Sequence, residues 1–265
     1  LASKFYQASL ESPENSKAKE YLLKRGIAPQ TLNLLCIGFA PDKWDALINH
    51  LRAKGISLAI LEKAGLILSR DGSGYYDRFR NRIMFPIFDI KGRILGFGAR
   101  VLDGSTPKYI NSPETPVYIK GRNLYGLNFV KNDIREKDYV AVVEGYMDFL
   151  LPYQEGFKNI VASQGTALTC EQVRLIKRYT GNAVIIYDGD TAGELASLRS
   201  LDIFIDEEVN LKVVTLPKGF DPDSFVRKNG INAFRDEVEK APGIFDYKLK
   251  LLKSRYDIKD ANNKT

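Results

Sequence analysis

From about residue 138 onward the chain alternates between apolar runs and helix-opening signals, and that rhythm leaves few folds open. The apolar runs are Tyr139–Val143, Ile160–Ala162, Val184–Tyr187 and Leu211–Leu216. Between them lie a helical stretch, a helix opened by Thr169 with Gln172 three residues later, and another opened by Thr191 with Glu194 three later. In that spacing the hydroxyl accepts a hydrogen bond from an orphan amide of the first turn, and the third residue returns the bond. Strands that alternate with helices are joined by crossovers, so this half is predicted to be a mainly parallel sheet with helices on both faces.

Acidic residues follow these strands. Glu144 comes directly after Val140–Val143, Asp188 and Asp190 after Val184–Tyr187, and Asp221 and Asp223 after the strand ending near Leu216. All C-terminal strand ends of a parallel sheet lie along one edge, where ligands bind in such folds, so residues tens of positions apart converge. The Asp-x-Asp pairs aim both side chains one way if their backbone stays extended. Several oxygens in a shallow cleft suit Mg²⁺, which binds through few carboxylates and keeps sites for water and phosphate oxygen. Each acid also has a plainer reading. Asp221 before Pro222 fits a helix N-cap, Asp188 and Asp190 flank Gly189 as turn residues, Glu144 fits an exposed strand end, and Asp148 fits a helix-dipole complement. Their joint placement on one edge favours a site.

Upstream, residues 1 to about 68 carry short amphipathic helices punctuated by Gly26, Pro29, Gly38, Pro41 and Gly55, with Trp44, Leu47, Ile48 and Leu51 at helical spacing. Apolar runs Ile83–Phe88 and Ile94–Phe97 around Asp89-Ile90-Lys91-Gly92 predict an antiparallel hairpin. Thr106–Tyr125, with three prolines, is predicted to be an irregular loop. From about 231 the chain reads as helical, with Phe245, Leu249 and Leu252 on one face. The divisions expected are an α/β basic subdomain over 1–125, a catalytic subdomain over 126–230 and a partial helical subdomain over 231–265. No repeat of fixed period occurs.

The composition, 44% hydrophobic and 27% charged, is that of a folded globular chain and excludes low-complexity or collagen-like architectures. Cys36 and Cys170 lie too far apart in sequence for a disulfide framework or paired-cysteine zinc site, which predicts a reducing, cytoplasmic compartment. The single histidine, His50, excludes histidine-rich metal sites and reads as an incidental helix residue. No apolar run is long enough to span a membrane. The first residue is Leu1 rather than methionine, so a piece of a longer protein is expected. The net charge of +6 is concentrated between Arg70 and Tyr125, where ten basic residues face five acidic ones among several tyrosines. Cations and rings in that mixture serve a groove for single-stranded nucleic acid or nucleotide phosphates, and equally a solvated basic face over an aromatic core. No Gly-x-x-x-x-Gly-Lys-Ser/Thr loop is present, and Gly96-Phe97-Gly98 lacks the third glycine of a dinucleotide fingerprint.

Val142-Val143-Glu144-Gly145-Tyr146-Met147-Asp148, Tyr187-Asp188-Gly189-Asp190-Thr191-Ala192-Gly193 and Asp221-Pro222-Asp223 resemble, in order, the Toprim motifs of bacterial DnaG-type primases. The upstream half agrees through Tyr76–Arg80, Gly96–Val101 and Thr106–Thr115, motifs specific to primases among Toprim proteins. Gln164 stands where the family often has an apolar residue.

The resemblance implies an RNA polymerase core acting at the replication fork on the nucleoid. It would copy single-stranded DNA into short RNA primers from ribonucleoside triphosphates with Mg²⁺, or Mn²⁺ in its place. It implies Asp188, Asp190, Asp221 and Asp223 as metal ligands and Glu144 as ligand or proton acceptor. Arg25 and Arg100 would contact the template backbone, and Arg78, Lys108, Tyr109, Asn111 and Lys120 nucleotide phosphates or nucleic acid near the active site. It implies inhibition by guanosine tetraphosphate-type alarmones. The family's zinc-binding domain and its replicative-helicase docking domain lie outside this sequence, so no zinc is expected in it.

Two rivals remain at this point. Val184–Thr191 also resembles the first motif of haloacid-dehalogenase-type phosphatases, with Asp188 as nucleophile and Asp190 as acid/base. A non-enzymatic nucleic-acid-binding module would show no dependence on divalent metal. Topoisomerases and Toprim nucleases need flanking parts that are not evident.

Overall fold

The computed structural model describes residues 1–70, 72, 74–165, 167–189 and 195–255, excepting the side chains of 195–200, 252, 254 and 255. The chain divides into two compact units, Leu1–Asn123 and Leu124–Thr265.

The first unit contains helices α1 (Ala2–Glu11), α2 (Ser16–Lys24), α3 (Pro29–Leu34), α4 (Ala46–Arg52) and α5 (Leu58–Lys63). Its strands are β1 (Gly38–Ala40), β2 (Ile67–Ser69), β3 (Tyr75–Asp77), β4 (Arg82–Phe88), β5 (Ile94–Val101) and β6 (Tyr109–Asn111). Strands β1-β4-β5-β6 form an antiparallel sheet in that order, and β2 pairs with β3 apart from it. The expected hairpin is β4–β5, closed by the Asp89 carboxylate, which accepts the amides of Lys91 and Arg93 at 2.9 Å each. Tyr6, Leu47, Leu51, Phe79, Met84 and Phe97 form the core between helices and sheet.

Three expectations are corrected here. The helical start also contributes β1 and β2, three-residue strands too short to carry a period of their own. The punctuated segment 106–125 supplies β6 and a 3₁₀ turn, Lys120–Arg122, because the β5 edge offers Tyr109–Asn111 a ladder to join. Trp44 precedes α4 instead of joining its buried face, and 57% of its surface is exposed, whereas Leu47, Ile48 and Leu51 are buried.

The second unit contains α6 (Leu127–Lys137), β7 (Val140–Val143), α7 (Tyr146–Gln154), β8 (Ile160–Ala162), α8 (Cys170–Lys177), β9 (Asn182–Tyr187), α9 (Leu195–Asp206), β10 (Asn210–Thr215), α10 (Pro222–Glu239) and α11 (Ile244–Arg255). Its sheet runs β10-β9-β7-β8 with every ladder parallel, flanked by helices as the alternation requires. Buried apolar residues fill β7 and β8 completely, the pattern of strands covered on both faces. The Thr169–Gln172 capping box opens α8, with the Gln172 amide 3.2 Å from Thr169 Oγ1 and the Thr169 amide 3.1 Å from Gln172 Oε1. The one expected at Thr191 and Glu194 lies outside the described residues. The helical stretch from Pro222 is broken at Gly230, whose φ of 81° only glycine adopts without strain. Phe245 and Leu249 on α11 are exposed rather than packed. Among the described residues no helix is long and apolar enough to cross a membrane.

Candidate active site

The strand order places β7 between β9 and β8, so the connection from β7 runs one way to β8 and the next returns past β7 to β9, and the crevice of such a sheet opens between β7 and β9. Glu144 follows β7 and Asp188 follows β9, on either side of that point. The Glu144 carbonyl accepts the Gly165 amide at 2.8 Å, tying the end of β7 to the loop after β8. Gln164 in that loop is buried and left-handed (φ 67°).

Two close approaches shape the edge. The Gly145 amide donates to Asp148 Oδ2 at 2.9 Å, and a Cβ at position 145 would lie 2.5 Å from that oxygen. Glycine there lets the Asp148 carboxylate fold back over the start of α7. The Gly189 amide donates to the Phe220 carbonyl at 2.9 Å, and a Cβ on Gly189 would lie 2.2 Å from the Pro217 carbonyl oxygen. The loops after β9 and β10 therefore touch through backbone, which brings Asp188 beside Asp221.

Asp221 is also the N-cap of α10: its Oδ1 accepts the Ser224 amide at 2.7 Å, and Pro222 fills the first helical position. Asp223 is fully buried in the first turn, its Oδ2 2.8 Å from Arg227 Nη2. The extended backbone that would aim Asp221 and Asp223 the same way is not present, since α10 begins between them with Asp221 as its N-cap and Asp223 turned inward. Asp190 lies outside the described residues.

Asp148 carries the electrostatic signature of the edge. Its carboxyl is pushed up to about 8, first by burial and then by the charges of Asp188 and Asp221, with Asp223 adding to them against the opposing Gly145 amide. The carboxylates of Asp188, Asp221 and Asp223, from the ends of β9 and β10, therefore all act on Asp148 at the end of β7. Sequence reasoning had given Asp148 only a dipole role; its position four residues after Glu144, on the first turn of a helix leaving the same edge, was the available signal. Among the described residues no group of three or more His, Cys, Asp or Glu is close enough to hold a metal ion. The donor chemistry nevertheless suits one: the acids are carboxylates without histidine or thiolate, and three of them act on Asp148, which is the chemistry of a hard divalent cation. His50 packs its ring on Phe5 at 4.8 Å, as an incidental helix histidine does.

The expected nucleic-acid residues all belong to the first unit, where four of them form one series. Arg25 lies 5.5 Å from the Tyr21 ring, Arg100 5.5 Å from Tyr21 and 5.3 Å from Tyr109, and Lys108 5.9 Å from Tyr109. Arg100 Nη1 also donates to the Tyr109 hydroxyl at 2.8 Å. Tyr21, which joins the series from α2, was not singled out from the sequence. Arg78 donates to the Asn111 carbonyl at 3.3 Å, so these two form a separate contact. Lys120 belongs to the 3₁₀ turn, its ammonium pK lowered by burial.

A family model for the N-terminal domain of the DNA primase catalytic core matches residues 5–131, and a Toprim-like model matches residues 141–226. The DNA primase of Clostridium acetobutylicum is 48% identical over 263 residues, covering 99% of this chain and 43% of its own length. That of Escherichia coli is 41% identical over 257 residues, covering 96% and 44%. The chain thus spans less than half the length of these relatives. Among solved structures, a DnaG primase catalytic domain bound to ssDNA is 40% identical with a TM-score of 0.88, covering 98% of this chain and 83% of that one. A DNA primase domain from Pseudomonas aeruginosa is 38% identical with a TM-score of 0.89, covering 99% and 84%. These matches displace the phosphatase reading of Val184–Thr191. With identity and fold agreeing across both units, the chain belongs to the DnaG family of DNA primases, as its catalytic core with a Toprim-like domain.

Proposed function

We propose that this chain is the primer-synthesising core of a replication primase, acting in the cytoplasm at the fork and joining ribonucleotides on a single-stranded DNA template. The observation that carries this reading is the convergence of Asp148, Asp188, Asp221 and Asp223 at the switch point of a parallel sheet. A primer 3′-hydroxyl attacks the α-phosphorus of a bound triphosphate and pyrophosphate leaves. Asp188, Asp190, Asp221 and Asp223 would hold Mg²⁺, or Mn²⁺ in its place, which lowers the hydroxyl pKa and neutralises charge on the entering and leaving oxygens. Glu144, at the end of β7, either completes that ligand set or accepts the hydroxyl proton on its carboxylate. Arg227 fixes the Asp223 carboxylate, and the Gly145 amide fixes that of Asp148.

In the first unit the Arg25–Tyr21–Arg100–Tyr109–Lys108 series offers alternating cations and rings for template phosphates and bases, as single-strand binders do. Arg78, Asn111 and Lys120 would take triphosphate or RNA primer phosphates, and alarmones of the guanosine tetraphosphate type would compete for them. The segment from 231 reads as the start of a helical subdomain, in keeping with the exposed Phe245 and Leu249. Contacts with the replicative helicase and the zinc-binding domain would run through other parts of the full-length protein.

Extension of a short RNA annealed to single-stranded DNA tests the reading. Divalent-dependent extension that is lost in Asp188→Ala is expected. Extension retained in that variant, or phosphate release from small phosphomonoesters in place of extension, overturns it.

A further inference from the structure

The turn that joins β10 to α10 carries a cation with no part in the chemistry above. The ladder between β9 and β10 runs one step past β10, where the Leu216 amide donates to the Tyr187 carbonyl at 3.2 Å. Residues 217–220 then fold into a β-turn, closed by the Phe220 amide on the Pro217 carbonyl at 3.1 Å, with Gly219 at φ 81° in its third position. Lys218 occupies the second position and is exposed.

The turn is held against the acidic edge through its backbone. The Gly189 amide donates to the Phe220 carbonyl, and a Cβ on Gly189 would come within 2.2 Å of the Pro217 carbonyl oxygen and 2.8 Å of Lys218 Cα. Gly189 directly follows Asp188 and Phe220 directly precedes Asp221, so Lys218 rises from between two of the acids. The Phe220 ring meets that of Phe225 on α10 edge to face at 5.7 Å, which fixes the turn on the helix. The backbone that presents Lys218 is therefore in place before any ligand arrives, and the ordering cost of binding is confined to one side chain.

The ammonium itself is uncommitted. Arg227 shows what a neutralising cation does at this edge, since its guanidinium binds the Asp223 carboxylate at 2.8 Å. Lys218 enters no ion pair among the described residues, although Asp188 and Asp221 flank its turn. A divalent cation only partly neutralises a nucleoside triphosphate, and the charge left over lies on phosphate oxygens that a compact ammonium binds well. An edge built of acids repels those oxygens, so it needs a cation besides the metal to receive them.

We propose that Lys218 binds the β- and γ-phosphates of the incoming ribonucleoside triphosphate and, once attack by the primer 3′-hydroxyl has broken the bond from the α-phosphorus to the bridging oxygen, the pyrophosphate that leaves. This rests on the reading of the acidic edge as the site of nucleotidyl transfer. The contact is made to the bound nucleotide and kept through the reaction, so it serves affinity more than rate.

Extension of an annealed RNA primer by the intact chain, with the ribonucleotide concentration varied at saturating Mg²⁺, separates binding from rate. Lys218→Ala should raise KM for the triphosphate about 10-fold and weaken inhibition by added pyrophosphate to a similar degree, with kcat and oligonucleotide affinity close to the parent's. Lys218→Arg should restore both, and Lys212→Ala, the same loss of charge near the start of β10, should change neither. Unchanged KM and unchanged pyrophosphate inhibition in Lys218→Ala overturn the proposal and leave the primase reading standing. Weaker oligonucleotide binding at unchanged KM also overturns it, by making Lys218 a template contact. So does a shift confined to the Mg²⁺ needed for half-maximal rate, by making it a counter-charge to the acids. Absence in the parent of both extension and calorimetric binding of magnesium pyrophosphate overturns the primase reading itself, and the proposal with it.

Discussion

Replacing Asp77 with alanine tests whether the primase-specific segment Tyr76–Arg80 is built on a buried carboxylate. Asp77 is 2% exposed and is the side-chain acceptor for two buried amides at the start of α4. Its carboxyl is pushed from 3.8 up to about 6, chiefly by burial, with the amides of Leu47 and Ile48 pulling the other way. Removing the side chain strands both amides at about 1–3 kcal/mol each, or about 4 kcal/mol in all when the carboxyl is protonated. The folded chain binds this proton more tightly than the unfolded chain. Stability is therefore lost as pH rises from about 4 to about 6, by about 3 kcal/mol for a rise of this size. Alanine has no such proton to lose, so the deficit of Asp77→Ala should shrink from about 4 kcal/mol near pH 4 to about 1 kcal/mol at pH 7. Urea unfolding followed by Trp44 emission reads it, because the Trp44 main-chain carbonyl accepts the Asp77 amide and the residue reports the first unit. Parallel stability curves for parent and variant across that pH range would refute the assignment of the proton to Asp77.

Asp188→Ala should lower extension by about 10³-fold while melting at or above the parent temperature in chelator, because a repelling charge has gone; Mg²⁺ should raise the melting temperature of the parent only. Gly189→Ala forces a Cβ to 2.2 Å from a backbone carbonyl, and a loss of about 2 kcal/mol or more in chemical denaturation should accompany a fall in extension. Arg100→Ala should weaken oligonucleotide binding uniformly across sequences and reduce the slope of log K against log salt by about one.

The legible parts of the sequence were those whose signal is local. A capping box spans four residues, so Thr169 and Gln172 announced α8, and the run Val184–Tyr187 announced β9. Strand ends follow from strands, so the positions of Glu144, Asp188 and Asp221 on one edge are legible in the sequence. What stayed hidden depends on partners distant in the chain. Strands β1 and β6 exist because β4 and β5 offer them open edges, and three residues cannot carry a period of their own. Trp44 sits at helical spacing from Leu47, Ile48 and Leu51, yet the Asp77 bonds at residues 44, 47 and 48 start the helix after it and leave the indole outside. Asp221 satisfied both of its readings at once: it caps α10 and belongs to the acidic group.

That double duty explains how a fold tolerates four interacting carboxyl groups at one edge. Each helix that leaves a parallel strand begins at the strand's C-terminal end and presents unpaired amides there, with the positive end of its dipole. The Gly145 amide at the start of α7 takes one Asp148 oxygen, and the Ser224 amide at the start of α10 takes one Asp221 oxygen. Arg227, one turn into α10, neutralises Asp223 from below. These anchors offset part of the repulsion with groups that the alternation of strand and helix supplies in any case. The offset is incomplete, since the charges of Asp188, Asp221 and Asp223 still add to burial in pushing the Asp148 carboxyl up to about 8. In the proposed function, this residual negative field would attract a divalent cation and the phosphates it carries. A sequence optimised for stability alone would place neutral caps at these helix starts; acids in their place mark the edge as one kept for chemistry.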